Sequence, residues 1–229
     1  MKNTTADQNA LLEKGWLSTL PKPIQREIME RLHWREYKRD AAIYQVEDAD
    51  SFMFGVSYGV IAGYLEIGGR SPHFYGLAFP GYWGGDPTVT SNDKRRAHVI
   101  ARTDCRLGVL TQRDVSQIAE THPQLWRYIA HNTHALFDDL AKMTATLLLP
   151  EARSRILMAL VRLLRGSLEP TSFELSIEEL GQLTGDTRNS VAPALQRLVK
   201  EGLVERSYRR IDIPDPKALL AELTQATRA

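Results

Sequence analysis

The sequence has 229 residues, of which 43% are hydrophobic and 25% charged, a composition typical of a folded globular protein rather than a disordered chain. Its length allows one large domain or two modest ones. The single cysteine, Cys105, excludes an internal disulfide, an iron–sulfur cluster and a cysteine-rich zinc site, because each of these needs several thiols. The formal net charge is +1, so gross charge does not indicate a nucleic-acid partner and only local patterns can support one.

No part of the sequence has the features of a targeting or membrane segment. The opening residues lack the basic start, apolar run and small-residue cleavage site of a secretory signal. No later stretch approaches the roughly 18 consecutive apolar residues of a membrane span. We therefore predict a cytoplasmic protein with no membrane partner.

The stretch from about Trp34 to Leu110 consists of short apolar or alternating runs, such as FMFGVSYGVIAGYLEI and HFYGLAFP, separated by Gly, Pro and Asp. Short strands with frequent turns indicate an antiparallel sandwich or roll. Before it, WLSTLPKPIQREIMERL has a helical apolar period after a Pro-containing start, at Ile24, Ile28, Met29 and Leu32. We expect a β domain with a short helical leader.

A long uninterrupted helix is predicted between Pro123 and Pro150, where neither Pro nor Gly occurs. Apolar positions follow each other in steps of three and four, which is the seam of a two-stranded coiled coil. The seam consists of Trp126, Ile129, Thr133, Leu136, Leu140, Met143 and Leu147. The pattern favours a dimerisation helix. The alternative is an amphipathic helix that lies on the core of its own domain.

From Glu151 onward the pattern predicts three helices and then a hairpin with a basic tip, the order of a winged helix-turn-helix. Ser176 and Glu179 have the spacing of a capping box at the start of the second helix. Gly185 is placed to end that helix in the left-handed conformation, and Gly181 lets the next helix cross closely. Asp186 or Thr187 is then expected to cap the third helix.

The third helix has an apolar face and a polar face, and the polar face carries residue types that read DNA bases. Arg matches the O6/N7 acceptors of guanine, and Asn or Gln matches the N7/N6 edge of adenine. The candidate base readers are Arg188 and Asn189, with Gln196 third. Phosphate contacts position a protein on DNA without reading its sequence. The candidate phosphate contacts are Thr187, Ser190, Arg197, Lys200, Arg206, Tyr208, Arg209 and Arg210. The competing interpretation is that these are the solvated faces of an ordinary three-helix domain.

The chain resembles the cyclic AMP receptor protein / fumarate-nitrate reductase regulator (CRP/FNR) superfamily over nearly its full length. The resemblance rests on LSIEELGQLTGDTRNSVAPALQRL, on FPGYWGG followed by RRAHVIARTDCRLGVL, and on the helix between them. It implies an α+β fold with three parts. These are a jelly-roll (double-stranded β-helix) domain like those that bind cyclic nucleotides, at 1–122, a dimerisation helix at 123–149, and a winged helix-turn-helix at 150–229.

The resemblance also implies a homodimeric transcription regulator. In such a protein the roll takes a small effector, and the winged domain binds a palindromic promoter site in double-stranded DNA, with RNA polymerase as a further partner. Arg188 matches the family's main base-reading arginine. Asn189 stands where many members have Glu and Pro193 where many have a second Arg, so we expect a different half-site.

The family's nucleotide-binding positions are only partly kept. Arg95 matches the phosphate arginine, and Gly84 and Gly85 offer backbone amides. The ribose carboxylate position falls on Gly85, beside Asp86. The remaining departures are Arg96, where a small hydroxyl residue is usual, and Leu140 with Ala141, where purine contacts are usual. Because unsatisfied polar groups cost about 1–3 kcal/mol each, we predict weak or absent cyclic AMP binding.

Other effectors and functions stay open at this stage. Haem ligation by histidine stays open, whereas no metal site is expected, because paired histidines such as His131 and His134, one helical turn apart, are more commonly solvated or packed. Cys105 is expected to be a buried, inert thiol. A second functional hypothesis is a ligand-binding regulatory module whose C-terminal domain docks on a protein. Catalysis is the weakest option, because no nucleophile triad, carboxylate pair or phosphate loop has usable spacing.

Overall fold

The computed structural model describes residues 10–66, 68, 71–91, 93–166 and 171–226. The chain divides into two compact units, one formed by Met1–His73 and Leu77–Asp138, the other by Phe74–Gly76 and Asp139–Ala229. The division near residue 138 lies inside the long helix, whereas the sequence-based scheme treats that helix as a separate part. Each unit is described on its own.

Two four-stranded sheets form the roll. The strands are β1 (His33–Tyr37), β2 (Ala42–Tyr44), β3 (Phe52–Tyr58), β4 (Ile61–Leu65), β5 (His73–Ala78), β6 (Trp83–Gly84), β7 (His98–Ala101) and β8 (Cys105–Thr111). The sheet orders are β1-β8-β3-β6 and β2-β7-β4-β5, and β3 pairs with β8 in antiparallel register from Phe52↔Thr111 onward. Six of the seven β3 residues are buried, as expected of a strand at the centre of a roll. The predicted β domain is confirmed.

The first unit also contains a 3₁₀ helix (Trp16–Thr19) and the helices α1 (Lys22–Arg31), α2 (Asp86–Ser91), α3 (Gln112–Thr121) and α4 (Leu125–Leu147), although α4 continues into the second unit. The predicted leader is α1, which buries Ile24 and Ile28. Neither α2 nor α3 is anticipated by the sequence analysis. The start of α3 is a capping box in which Thr111 and Asp114 accept each other's backbone N–H groups.

The first unit has two apolar clusters. One fills the roll and includes Phe52, Phe54 and Leu107, all buried. The other packs the leader helices against α3 and the start of α4, where Ile129 is 1% exposed. The Trp16 indole donates to the Tyr128 carbonyl oxygen at 2.7 Å and so attaches the leader to α4.

The predicted seam of α4 needs one correction. Ile129 lies in the first unit's own core, because the leader helices cover it, and it is not available to a partner chain. Other seam members are exposed: Trp126 at 40%, Leu140 at 50% and Leu147 at 47%. Phe137, which the spacing rule passed over, is 64% exposed. The helix α4 therefore has an exposed apolar surface, and this surface is centred near Phe137 and Leu140.

The second unit contains, in chain order, α5 (Ala152–Gly166), β9 (Ser172–Glu174), α6 (Ile177–Thr184), α7 (Arg188–Lys200), β10 (Glu205–Ser207), β11 (Arg210–Asp212) and α8 (Pro216–Ala226). The strands form one sheet in the order β10-β11-β9. Leu160 of α5 and Leu195 of α7 are fully buried. The predicted winged helix-turn-helix is confirmed, with β9 and α8 as additions. Among the described residues, no helix is both long and apolar enough to cross a membrane.

Candidate nucleic-acid interface

The turn between α6 and α7 is held by the local features that the sequence indicates. Ser176 accepts the Glu179 N–H at 3.1 Å, and Glu179 accepts the Ser176 N–H at 2.8 Å, which completes the capping box. Gly185 ends α6 with φ +67°, a conformation that costs glycine little. A side chain on Gly181 would place its Cβ 2.6 Å from the Asp186 carbonyl oxygen, so glycine is required where the chain crosses α6.

The expected cap of α7 is not made. Thr187 occupies the N-cap position, but its side chain accepts no backbone N–H of the helix and instead shares a hydrogen bond with the Ser190 hydroxyl at 3.3 Å. The Asp186 carboxylate is bound instead by Arg155 of α5, with Nε–Oδ2 at 2.9 Å and Nη2–Oδ1 at 2.6 Å. This hydrogen bonding with Arg155 holds the pKa of Asp186 below its usual range. The carboxylate therefore fixes the turn to α5 and does not cap α7.

The two faces of α7 separate as predicted. Val191, Leu195 and Leu198 are fully buried and anchor the helix to the second unit. On the opposite side, the three candidate base readers Arg188, Asn189 and Gln196 are all exposed. Pro193 lies inside α7 without ending it. The polar face therefore protrudes from the unit along a helix of 13 residues.

Arg188 has a partner that the sequence analysis missed. Its Nη1 donates to Glu178 Oε1 of α6 at 2.6 Å, and both side chains are exposed. The two residues are ten positions apart, so neither helical periodicity nor capping rules relate them. Their proximity depends on the crossing of α6 and α7.

All the candidate phosphate contacts are exposed as well: Thr187, Ser190, Arg197, Lys200, Arg206, Tyr208, Arg209 and Arg210. Tyr208 and Arg209 form the tip of the wing between β10 and β11, where Tyr208 is 92% exposed and Arg209 has φ +52°. Within β11, Arg210 Nε donates to Asp212 Oδ1 at 2.9 Å. The tip therefore combines a ring and an arginine that point away from the sheet's core.

In the roll, the candidate phosphate arginine is already engaged by protein groups. Arg95 is 3% exposed, and its Nη2 donates to the Phe52 carbonyl oxygen at 2.7 Å. The guanidinium lies over the rings of Tyr44 and Phe52, with its central carbon 4.3 and 4.2 Å from their centroids. Burial lowers the pKa of Arg95 from its ordinary value. A Cβ on Gly85 would lie 3.0 Å from Arg95 Nη1, so little room separates them.

Asp86 does not join Arg95. It begins α2, is completely buried, and accepts hydrogen bonds at Oδ2 from Asn132 Nδ2 (3.0 Å) and Thr133 Oγ1 (2.9 Å) of α4. Its Oδ1 has no hydrogen-bond partner. Burial raises the pKa of this carboxyl, and the two donors only partly offset that effect. The sequence places Asp86 beside the ribose position, but the fold turns it onto α4.

The other candidate effector residues differ in their surroundings. Gly84 belongs to β6 and is buried. Arg96 is exposed and pairs with Asp93 at 3.1 Å. Leu140 and Ala141 are exposed and carry no side-chain hydrogen-bonding group. Of the positions compared with the family's cyclic nucleotide site, Gly85, Leu140 and Ala141 therefore carry no polar side chain.

The remaining chemistry-bearing residues have simpler surroundings. Cys105 is buried at the start of β8, as expected, and burial raises the pKa of its thiol to about 11. His131 and His134 are exposed on α4. Within the part of the chain that the structure describes, no three His, Cys, Asp or Glu side chains cluster as metal ligands would.

Two family models match the chain. Residues 34–122 match the cyclic nucleotide-binding domain and residues 154–222 match the Crp-like helix-turn-helix domain, together more than half of the sequence. The Cyclic AMP receptor protein of Thermus thermophilus is 28% identical over 193 residues, which cover 82% of this chain and 87% of that protein. The transcriptional regulatory protein btr of Bordetella pertussis is 24% identical over 195 residues, covering 81% and 80%.

Solved structures share the fold at lower identity. FixK2 from Bradyrhizobium japonicum has a TM-score of 0.64 at 20% identity, covering 83% of this chain and 96% of that one. A putative cAMP-binding regulatory protein from Silicibacter pomeroyi has a TM-score of 0.69 at 16% identity, covering 96% and 99%. With the roll, the winged helix-turn-helix and both family models in agreement, the chain belongs to the CRP/FNR superfamily of transcription regulators.

Proposed function

We propose that this regulator binds DNA as a homodimer and reads a two-fold symmetric site with α7. The observation that carries the proposal is the separation of the two faces of α7. Its apolar face is fully buried, while Arg188, Asn189 and Gln196 project from a unit whose turn is fixed by a capping box, Gly185 and Arg155. An exposed polar helix face on a rigid support is the arrangement that enters a major groove.

Each exposed group has a role in this proposal. Arg188 reads a guanine and Asn189 an adenine, with Gln196 as a third reader, and each good bidentate contact is worth about 1–3 kcal/mol of discrimination. The exposed cations of α7 and of the wing, together with Thr187, Ser190 and Tyr208, contact phosphates and set the register. A two-fold symmetric site would require the two copies of α7 in the dimer to reach half-sites about 34 Å apart, one turn of DNA.

The roll is proposed to have lost the ability to bind cyclic AMP tightly. The family's ribose position holds Gly85, and the neighbouring Asp86 is completely buried, with its Oδ2 bound by Asn132 and Thr133. Arg95 is buried, its Nη2 donates to the Phe52 carbonyl oxygen, and its guanidinium lies over the rings of Tyr44 and Phe52. The protein therefore either responds to a different small effector or binds DNA constitutively. As a regulator of this family, the protein is further proposed to act in the cytoplasm, with RNA polymerase as a partner and without enzymatic activity.

Selection of bound sites from a random DNA library tests the proposal. The full chain is expected to select a two-fold symmetric sequence, with affinity that falls steeply as salt rises. Arg188→Ala and Asn189→Ala should each relax the preference at one position of the half-site. Lys200→Ala should instead weaken binding to all sequences alike and reduce the salt slope by about 1.

Arg113→Ala is the matched control, because Arg113 is an exposed arginine on α3 of the first unit. It should leave the selected sequence unchanged. The proposal would be overturned if the sites bound by the unmodified chain shared no sequence preference. Unchanged preferences in both the Arg188 and the Asn189 variants would also overturn it and would favour a surface that binds protein.

A further inference from the structure

Glu178 and Glu179 are adjacent carboxylates in the first turn of α6 with separate roles. Glu179 is buried and accepts the Ser176 N–H in the capping box. Glu178 is exposed and accepts from Arg188 Nη1 at 2.6 Å. One carboxylate thus supports the helix, and the other lies on the surface beside the proposed guanine reader.

Electrostatics explains why this partner is in place before DNA arrives. Arg188 is the first residue of α7, where a helix favours negative charge, and no acidic residue occurs in that first turn. Glu178 supplies the missing negative charge from the neighbouring helix. The pair contributes little to folding, because the Arg188 and Glu178 side chains are 70% and 56% exposed. The ion pair is therefore expected to affect DNA binding rather than folding.

DNA binding changes the surroundings of both groups. To bind the O6 and N7 atoms of guanine, Arg188 has to turn its two-pronged donor edge away from Glu178. The released carboxylate then lies unpaired beside a polyanion. Opposite any other base, Arg188 keeps Glu178 as its acceptor, so a mismatch does not leave the guanidinium without a partner.

We propose that Glu178 is a specificity-determining residue that competes with guanine for Arg188. It lowers the affinity for the preferred site, because the ion pair has to open there. It lowers the affinity for a mismatched site less, because the pair stays closed. Glu178 thereby reduces the preference for guanine at the position that Arg188 reads. This inference rests on the base-reading role proposed for Arg188.

The test measures equilibrium binding of the full chain to two duplexes, the selected site and the same site with the guanine read by Arg188 replaced in both half-sites. Glu178→Gln is expected to tighten binding to the selected site by about 1.4- to 5-fold, the range given by an exposed ion pair. Binding to the replaced site should tighten less, so the preference for guanine increases. In the Arg188→Ala background, Glu178→Gln should leave the ratio of the two affinities unchanged.

Glu201→Gln is the matched control. Glu201 follows the last residue of α7 and forms a partly exposed ion pair of the same length, 2.6 Å, with Arg153. It removes the same charge far from Arg188 and should not change the preference. Thermal unfolding checks that the variants keep their fold.

Equal tightening on both duplexes, or a preference that is unchanged or lower, would overturn the competition between Glu178 and guanine. These outcomes would leave the base-reading role of Arg188 intact. If Arg188→Ala itself relaxes no position of the selected site, the proposed function fails first. The two failures are therefore distinguishable.

Discussion

Arg155 and Asp186 form a bidentate ion pair that joins α5 to the turn before α7. The pair is mostly buried, with side chains 17% and 6% exposed. Arg155 Nη1 also donates to the carbonyl oxygen of Leu149, which lies ahead of α5. One guanidinium thus connects three segments of the second unit, and the position of the proposed recognition helix depends on it.

Replacing Arg155 by alanine should destabilise the second unit by about 2–4 kcal/mol, because it leaves a mostly buried carboxylate without its counter-charge. Asp186→Asn should have a similar effect. The double variant should lose less than the sum of the two, since both single changes break the same interaction. Urea unfolding followed by circular dichroism measures all three.

Arg153→Ala provides the control on the same helix. Arg153 pairs with Glu201 and Glu222, whose side chains are 43% and 30% exposed. Arg153 is 20% exposed, but its two partner carboxylates stay hydrated, so the loss of this partly exposed network should cost about 1 kcal/mol or less. If Arg155→Ala is no more destabilising than Arg153→Ala, the Arg155–Asp186 pair does not have the structural role assigned to it.

The same ion pair predicts a dependence of stability on acid pH. The hydrogen bonds from Arg155 hold the pKa of Asp186 below its usual range. A carboxyl with a lowered pKa in the folded state adds stability above its unfolded pKa of about 3.9, and that stability is lost as pH falls through the folded pKa. The difference in unfolding free energy between the natural chain and Asp186→Asn should therefore shrink below about pH 4. A difference that stays constant between pH values of about 2 and 6 would contradict this assignment.

The features that sequence reasoning found in the second unit are local. The capping box joins Ser176 to a residue three positions away, and the left-handed turn needs only Gly185. The buried and exposed faces of α7 follow from the helical period alone. Such signals are readable because the residues that interact are close in the chain.

The features that it missed depend on contacts between distant positions. Asp86 meets Asn132 from 46 positions away, and Arg155 meets Asp186 from 31. Ile129 fits the heptad spacing as well as Leu140 does, but the leader helices cover it. Periodicity shows which residues share a face, and only the assembled core shows what that face touches.

Asp86→Asn should make the stability of the first unit less dependent on pH. Burial raises the pKa of Asp86, so above about pH 4 the folded state retains a proton that the unfolded chain has released. Stability then falls as pH rises until the folded carboxyl also ionises. The neutral asparagine lacks this dependence, so its stability relative to the natural chain should increase from pH 4 towards neutral pH. Unfolding by urea at several pH values measures it, and a relative stability that falls over this range would contradict the prediction.

Cys105 should react slowly with thiol reagents in the folded protein. Burial raises its pKa to about 11, and the thiolate is the reactive form. Compared with an ordinary cysteine of pKa about 8.5, the thiolate fraction near neutral pH is lower by roughly two orders of magnitude. Iodoacetamide labelling followed by mass spectrometry should show this delay in buffer and not in urea.

The control for this labelling is a Cys105→Ser, Ser207→Cys double variant, which moves the thiol to an exposed wing position. It should react at the ordinary rate whether folded or unfolded. Rapid labelling of Cys105 in the native chain would show that β8 opens, or that its start is accessible.

The apolar surface of α4 predicts how the dimer is held together. Phe137 and Leu140 lie three positions apart on α4 and are 64% and 50% exposed, and adjoining exposed apolar side chains of this kind mark a surface for a partner. Phe137→Glu or Leu140→Glu should shift the protein to a monomer in sedimentation experiments. Affinity for a full palindrome should then fall by about 100-fold or more, because the second half-site no longer binds as a linked event.

Binding to an isolated half-site should be unchanged in these variants, since α7 is intact. Ala135→Glu is the control, because Ala135 is exposed on the opposite side of α4 and the substitution adds the same negative charge. It should leave the dimer in place. If the protein remains a dimer with Phe137→Glu and with Leu140→Glu, this face of α4 is not the main dimer interface. Monomers that still bind the palindrome at full affinity would instead show that two-fold recognition does not depend on α4.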